Sequence, residues 1–90
     1  MALNDSGEVE DTLRALLVEV LGLSTARVAK FSDDTEMFGA LPEFDSLAVA
    51  TLLTSLEDRL GILIEDDDVE AEDFMTFGRL LSFLKRKSLA

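Results

Sequence analysis

Asp45-Ser46-Leu47-Ala48-Val49-Ala50-Thr51-Leu52-Leu53-Thr54-Ser55-Leu56-Glu57-Asp58-Arg59-Leu60-Gly61 is the stretch that decides the fold. At about 100° per residue, Val49, Leu52, Leu53, Leu56 and Leu60 gather on one side of a helix. Thr51, Thr54, Ser55, Asp58 and Arg59 gather on the other. One apolar face and one wetted face make an amphipathic helix from Ser46 to Leu60, and Gly61 supplies its stop. Leu47 breaks the pattern. It points nearly opposite to the core face, so a large apolar side chain is exposed one step after a serine at the helix start. A lone surface leucine is common and by itself carries no message.

Upstream, Val9, Leu13, Leu16, Leu17 and Val20 share a face at helical spacing and predict a helix from about Gly7 to Leu21. Asp5 or Ser6 caps its start, Glu8 and Glu10 suit its first turn, and Gly22 closes it. Leu23 to Asp45 then forms a long connection, of a length that is usually functional when it lacks structure. Its apolar residues Val28, Phe31, Met37, Phe38, Leu41 and Phe44 predict a loop packed onto the helices, and Pro42 rules against helix continuing through Leu41. Downstream, Ile62-Leu63-Ile64 reads as buried loop, since no partner strand exists for it. Glu65 to Asp68 caps a short helix over Val69 to Phe74. Thr76 caps the last helix, Phe77 to about Arg86, with Phe77, Leu80, Leu81 and Leu84 inward and Lys85-Arg86-Lys87 at its negative end. The expectation is an all-α bundle of four helices, three main and one short, with a long loop between the first two. Residues 1–6 read as an N-terminal tail, 7–87 as the folded domain and 88–90 as a C-terminal tail.

Composition narrows the function. The chain has 90 residues, of which 48% are hydrophobic, so it folds as a single small domain. Nineteen acids against eight bases give a net charge of −11. Such a chain is repelled by nucleic acid and by anionic membranes, and it associates with basic protein surfaces. There is no His and no Cys. Ser–His and Cys–His nucleophiles are thereby excluded, and zinc, haem and iron–sulfur sites lose their usual ligands. We expect no resident metal, no disulfide and no enzyme. Met1 to Asp5 lacks a signal peptide's basic start, and no apolar run is long enough to span a bilayer, so the expected setting is the cytoplasm.

Ser46 opens the central helix. As an N-cap it would satisfy a free backbone N–H. The same helix end, with its free N–H groups and positive dipole, also favours a phosphate placed on the hydroxyl. Together, Gly39-Ala40-Leu41-Pro42-Glu43-Phe44-Asp45-Ser46-Leu47 and the helix ending Leu56-Glu57-Asp58-Arg59-Leu60-Gly61-Ile62 resemble the acyl carrier proteins over about residues 8 to 86.

The resemblance implies that a phosphopantetheinyl transferase attaches 4'-phosphopantetheine to Ser46 within the motif Asp45-Ser46-Leu47. The arm then holds an acyl group as a thioester for enzymes of fatty acid, lipid or polyketide-like synthesis. It implies a monomer whose partners are that transferase and acyl-transferring or condensing enzymes with basic surfaces. By position, Leu53, Leu56, Ile64 and Phe74 are candidates to line an acyl pocket, and Leu47, Thr51, Glu57 and Asp58 are candidate partner contacts. Two features depart from the carriers of primary fatty acid synthesis. Ala48 and Thr51 stand where acids are usual, and Leu41 to Phe44 looks like an insertion. Both point to a specialised bacterial carrier, similar to those encoded beside exosortase or surface-polymer systems.

Three other readings compete. A peptidyl or aminoacyl carrier shares the bundle and the serine. An acidic mimic of nucleic acid would explain residues 31 to 73, whose many acids are relieved by one base, Arg59. An EF-hand fails, because counting from Asp66 puts Ala71 at its sixth position and Phe77 at its twelfth.

Overall fold

The computed structural model describes residues 6–65 and 67–89. Their apolar stripes become three long helices, α1 (Ser6–Leu21), α3 (Ser46–Leu60) and α4 (Phe77–Leu89). A short helix α2 (Thr25–Ala29) and a 3-10 helix (Ala71–Phe74) complete the all-α bundle. Val9, Leu13, Leu16 and Leu17 of α1, Leu52, Leu56 and Leu60 of α3, and Phe77, Leu80, Leu81 and Leu84 of α4 meet in one core. Val49 and Leu53, on the flanks of the α3 stripe, are half-buried against it. The last helix runs beyond Arg86 to Leu89, and Phe83, off its predicted stripe, is also buried. Asp5, one expected cap of α1, lies outside the described residues.

The long connection is more ordered than its sequence suggested. Ser24 Oγ accepts the Arg27 N–H at 3.1 Å and starts α2, a single turn too short to show a periodic stripe. Val28, Phe31, Met37 and Phe44 are buried as expected, while Phe38 and Leu41 are half-buried. Each fully buried aliphatic or aromatic anchor contributes about 1.5–3 kcal/mol.

Polar contacts fix the loop's path. Arg14, half-buried on α1, donates to Val28 O at 2.6 Å and to Phe31 O at 3.0 Å. Glu10 orients it from one turn away, and its guanidinium lies 4.5 Å from the centre of the Phe77 ring. The loop then zips to the segment that leads into α4 and to its first two residues. Met37 N donates to Met75 O, Phe38 N to Phe74 O, Phe77 N to Thr35 O and Gly78 N to Asp33 O, all at 2.9–3.0 Å. A β-carbon on Gly78 would come within 2.8 Å of Asp33, so only glycine permits this approach.

Gly61 ends α3 in the left-handed region at φ 65°, as its position predicted. The following Ile62-Leu63-Ile64 is only partly buried loop. Ile62 and Ile64 pack against the core, and Leu63 is 67% exposed. Glu57 explains the local path, because its carboxylate accepts the Ile64 N–H at 2.7 Å.

The acidic segment past Ile64 has a different capping arrangement from the one its sequence suggested. Asp68 closes a turn on the Glu65 N–H, and the 3-10 helix is capped by Glu70 with Asp73 reaching back. Three bases on α4 face this segment: Arg79 with Glu72, Arg86 with Asp73 and Lys87 with Asp68. The Lys87 ammonium and then the Glu65 N–H hold the Asp68 carboxyl below its ordinary value of 3.8. A depressed carboxyl stabilises the fold while ionised. Its contribution is therefore complete above that ordinary value and lost as pH falls through the lower folded value. We expect amide exchange across residues 67–74, relative to the intrinsic rate at each pH, to accelerate on acidification below about pH 4. Lys87→Met, which removes the main cause, should flatten that difference. An identical pH response in the variant would show that the pair contributes nothing.

Candidate functional site

Sequence and structure agree on the bounds of α3 but assign its cap differently. Asp45, not Ser46, is the N-cap: its backbone is extended and its carboxylate accepts the Ala48 N–H at 2.9 Å. Ser46 is the first helical residue. It is exposed, and among the described residues its hydroxyl has no hydrogen-bond partner. The capping duty that would have explained this serine structurally is thus discharged by its neighbour. What remains is a free primary hydroxyl at the positive end of a four-turn helix, a setting that favours an attached phosphate.

Leu47 is 76% exposed, as its angle on the helix predicted. Thr51, Thr54 and Asp58 follow it along one exposed stripe, whereas Ala48 leans inward and is half-buried. Thr54 satisfies its hydroxyl on Ala50 O of its own helix. Several acids near the site are engaged within the chain. Glu43 pairs with Arg27 at 3.2 Å, Asp45 caps α3, and Glu57, one of the candidate partner contacts, is half-buried and holds the Ile64 N–H. Of the four candidate contacts, Leu47, Thr51 and Asp58 are exposed on one face.

Two hollows open beside Ser46. One, of about 360 Å³, runs along the loop past Asp45, Pro42, Ala40 and Phe38. The other, of about 210 Å³, is lined by Phe38, Val49, Ala71 and Phe74 together with Ser46. Among the four residues named for an acyl pocket, Phe74 lines this second hollow. Leu56 lies deep in the core, and Leu53 and Ile64 are half-buried against it. Phe38 and Val49 were expected only as packing residues, and Ala71 was not singled out from sequence. Val49 sits one turn after Ser46 and was legible on that basis, but the approach of Phe38 and Ala71 depends on loop packing. Phe44 stands behind, stacked edge-on between Phe38 at 6.0 Å and Phe74 at 6.1 Å. No helix among the described residues is long and apolar enough to cross a membrane.

Comparison with known proteins agrees with this geometry. The family model for the phosphopantetheine attachment site matches residues 11–84. The acyl carrier protein of Chlamydia trachomatis serovar D is 30% identical over 79 residues, covering 88% of this chain and 95% of that protein. That of Chlamydia caviae is 29% identical over the same extent. The solution structure of a holo acyl carrier protein from Nitrosomonas europaea superposes with a TM-score of 0.76 at 32% identity, over 87% of this chain and 92% of that one. A serine-bearing helix end, a loop folded beside it and these four likenesses converge: the chain belongs to the acyl carrier protein family, whose cofactor is covalently attached 4'-phosphopantetheine.

Proposed function

We propose that Ser46 bears the arm and that residues 7–87 work as one carrier domain, presenting an acyl group to enzymes of fatty acid, lipid or polyketide-like synthesis. The free Ser46 hydroxyl at the head of α3 carries this reading. When bound, the arm supplies a terminal thiol able to hold an acyl group as a thioester. The chain's own residues do the rest. Ser46 Oγ attacks the pantetheine-side phosphorus of coenzyme A in the transferase's site. A new Oγ–P bond forms, the bond to adenosine bisphosphate breaks, and the serine proton passes to a base of the transferase. Asp45 holds the helix end in place while the hydroxyl reacts. The positive end of α3 then favours the new phosphodiester.

The chain is a carrier and not an enzyme in this reading, with the transferase and acyl-handling enzymes as partners and the cytoplasm as its setting. Docking runs through Leu47 and the neutral Thr51–Thr54 stripe, with Asp58 as the free acid on that face. Acidic steering at this face is weaker than usual because Ala48 and Thr51 stand where acids are usual and Glu43 is paired with Arg27. A carrier of specialised bacterial lipids fits this muted charge.

The test is acylation of the holo protein by a fatty acyl–carrier ligase with ATP. We expect an acyl mass that hydroxylamine removes, as it cleaves thioesters. Preferential loading of an amino acid by an adenylating enzyme would replace this reading with that of an aminoacyl carrier.

A further inference from the structure

The loop-side hollow at Ser46 does not stop at the loop. It adjoins another of about 300 Å³, with which it shares Phe38, Gly39 and Ala40, and which extends to Met75 and Thr76. Both hollows border the Phe38–Ala40 segment, and a groove followed along that segment leads from Ser46 to Met75, a side chain that is 47% exposed. The groove is built rather than incidental. Phe38 N and Met37 N are tied to Phe74 O and Met75 O, and the Ala40 and Leu41 N–H groups both bond to Met37 O. That arrangement leaves the Gly39 N–H and the carbonyls of Phe38, Gly39 and Ala40 without partners among the described residues. The groove therefore alternates free amide groups with the apolar surfaces of Phe38, Ala40 and Met75.

The opposite hollow, beyond Phe38, has a different chemistry. Its lining side chains other than Ser46 are Phe38, Val49, Ala71 and Phe74, all apolar. A pantetheine arm carries two amides and a hydroxyl between its dimethyl group and its thiol. Burying such an amide without a hydrogen-bond partner is unfavourable. We propose that the arm on Ser46 lies in the loop-side groove, its amides facing the Gly39 region and its distal part reaching Met75. Being tethered at the groove's mouth, the arm needs little intrinsic affinity to occupy it. The inference rests on Ser46 bearing the arm.

The test compares apo and holo protein by NMR of alanine, valine and methionine methyl groups, with intact mass confirming complete loading. Ala40 and Met75 should shift, while Ala71 and Val49 stay in place. Ala40→Leu fills the groove at an exposed position. This variant should load fully, keep its melting temperature and lose most of the Met75 shift. Shifts at Ala71 and Val49 instead, or none beyond the immediate flanks of Ser46, would overturn the path while leaving the attachment standing. Absence of the mass gain in folded protein would overturn attachment and path together.

Discussion

Ser46→Ala is expected to abolish loading by a phosphopantetheinyl transferase while leaving thermal stability unchanged. Both halves follow from the division of labour at the head of α3. In the proposed reaction the hydroxyl is the nucleophile, and neither Ser24, which caps α2, nor Ser55, which lies within α3, offers a substitute. Removing the nucleophile removes the reaction, so the expected loss is complete. The fold does not use the hydroxyl, since Asp45 supplies the cap and Ser46 Oγ has no partner among the described residues. Alanine suits a first helical position, and a surface change of this kind stays within about 0.5 kcal/mol. Had Ser46 been the cap, the same substitution would cost about 1 kcal/mol. A calorimetric scan beside the loading assay separates the two roles. A clear loss of stability would return Ser46 to a structural duty.

Leu47→Asp is expected to cripple exchange with partner enzymes in a protein that still folds. Leu47 is three-quarters exposed and makes no part of the core, so its replacement costs the fold little. At a docking interface it is an apolar anchor, worth about 2 kcal/mol when buried. Loss of that anchor corresponds to a fall of about thirty-fold in kcat/KM. A carboxylate forced into the same contact deepens the loss through its desolvation. The measurement is kcat/KM for the transferase and for one acyl-transferring enzyme, with circular dichroism as the fold control. Unchanged kinetics would move the docking surface elsewhere. The second exposed leucine, Leu63, beyond the far end of α3, makes an informative comparison because it should tolerate Asp.

Legibility followed periodicity. The bounds of α3 and the burial of Leu52, Leu56 and Leu60 came straight from a 3.6-residue pattern, as did the exposure of Leu47. Elements shorter than two turns were harder to read. The single turn of α2 has one buried residue, Val28, and no pattern can rest on one position. The caps of the acidic segment were misplaced because Asp68, Glu70 and Asp73 are chemically alike. Which of them bonds which N–H is decided by the bases that α4 brings alongside. At the site, the serine was legible and its surroundings only in part. Which residue caps α3 depends on the extended backbone of Asp45, and the hollows depend on how the loop zips to residues 74–78. Gly78 shows the same limit, since its necessity lies in a 2.8 Å approach to a residue far away in sequence.

In the proposed function one hydroxyl, that of Ser46, anchors the cofactor. The direct measurement is fragmentation mass spectrometry of the folded wild-type protein after incubation with coenzyme A and a broad-specificity transferase. A single arm on the fragment holding Ser46, at full conversion, is the predicted result. An unmodified chain, or an arm located on any other residue, would contradict it.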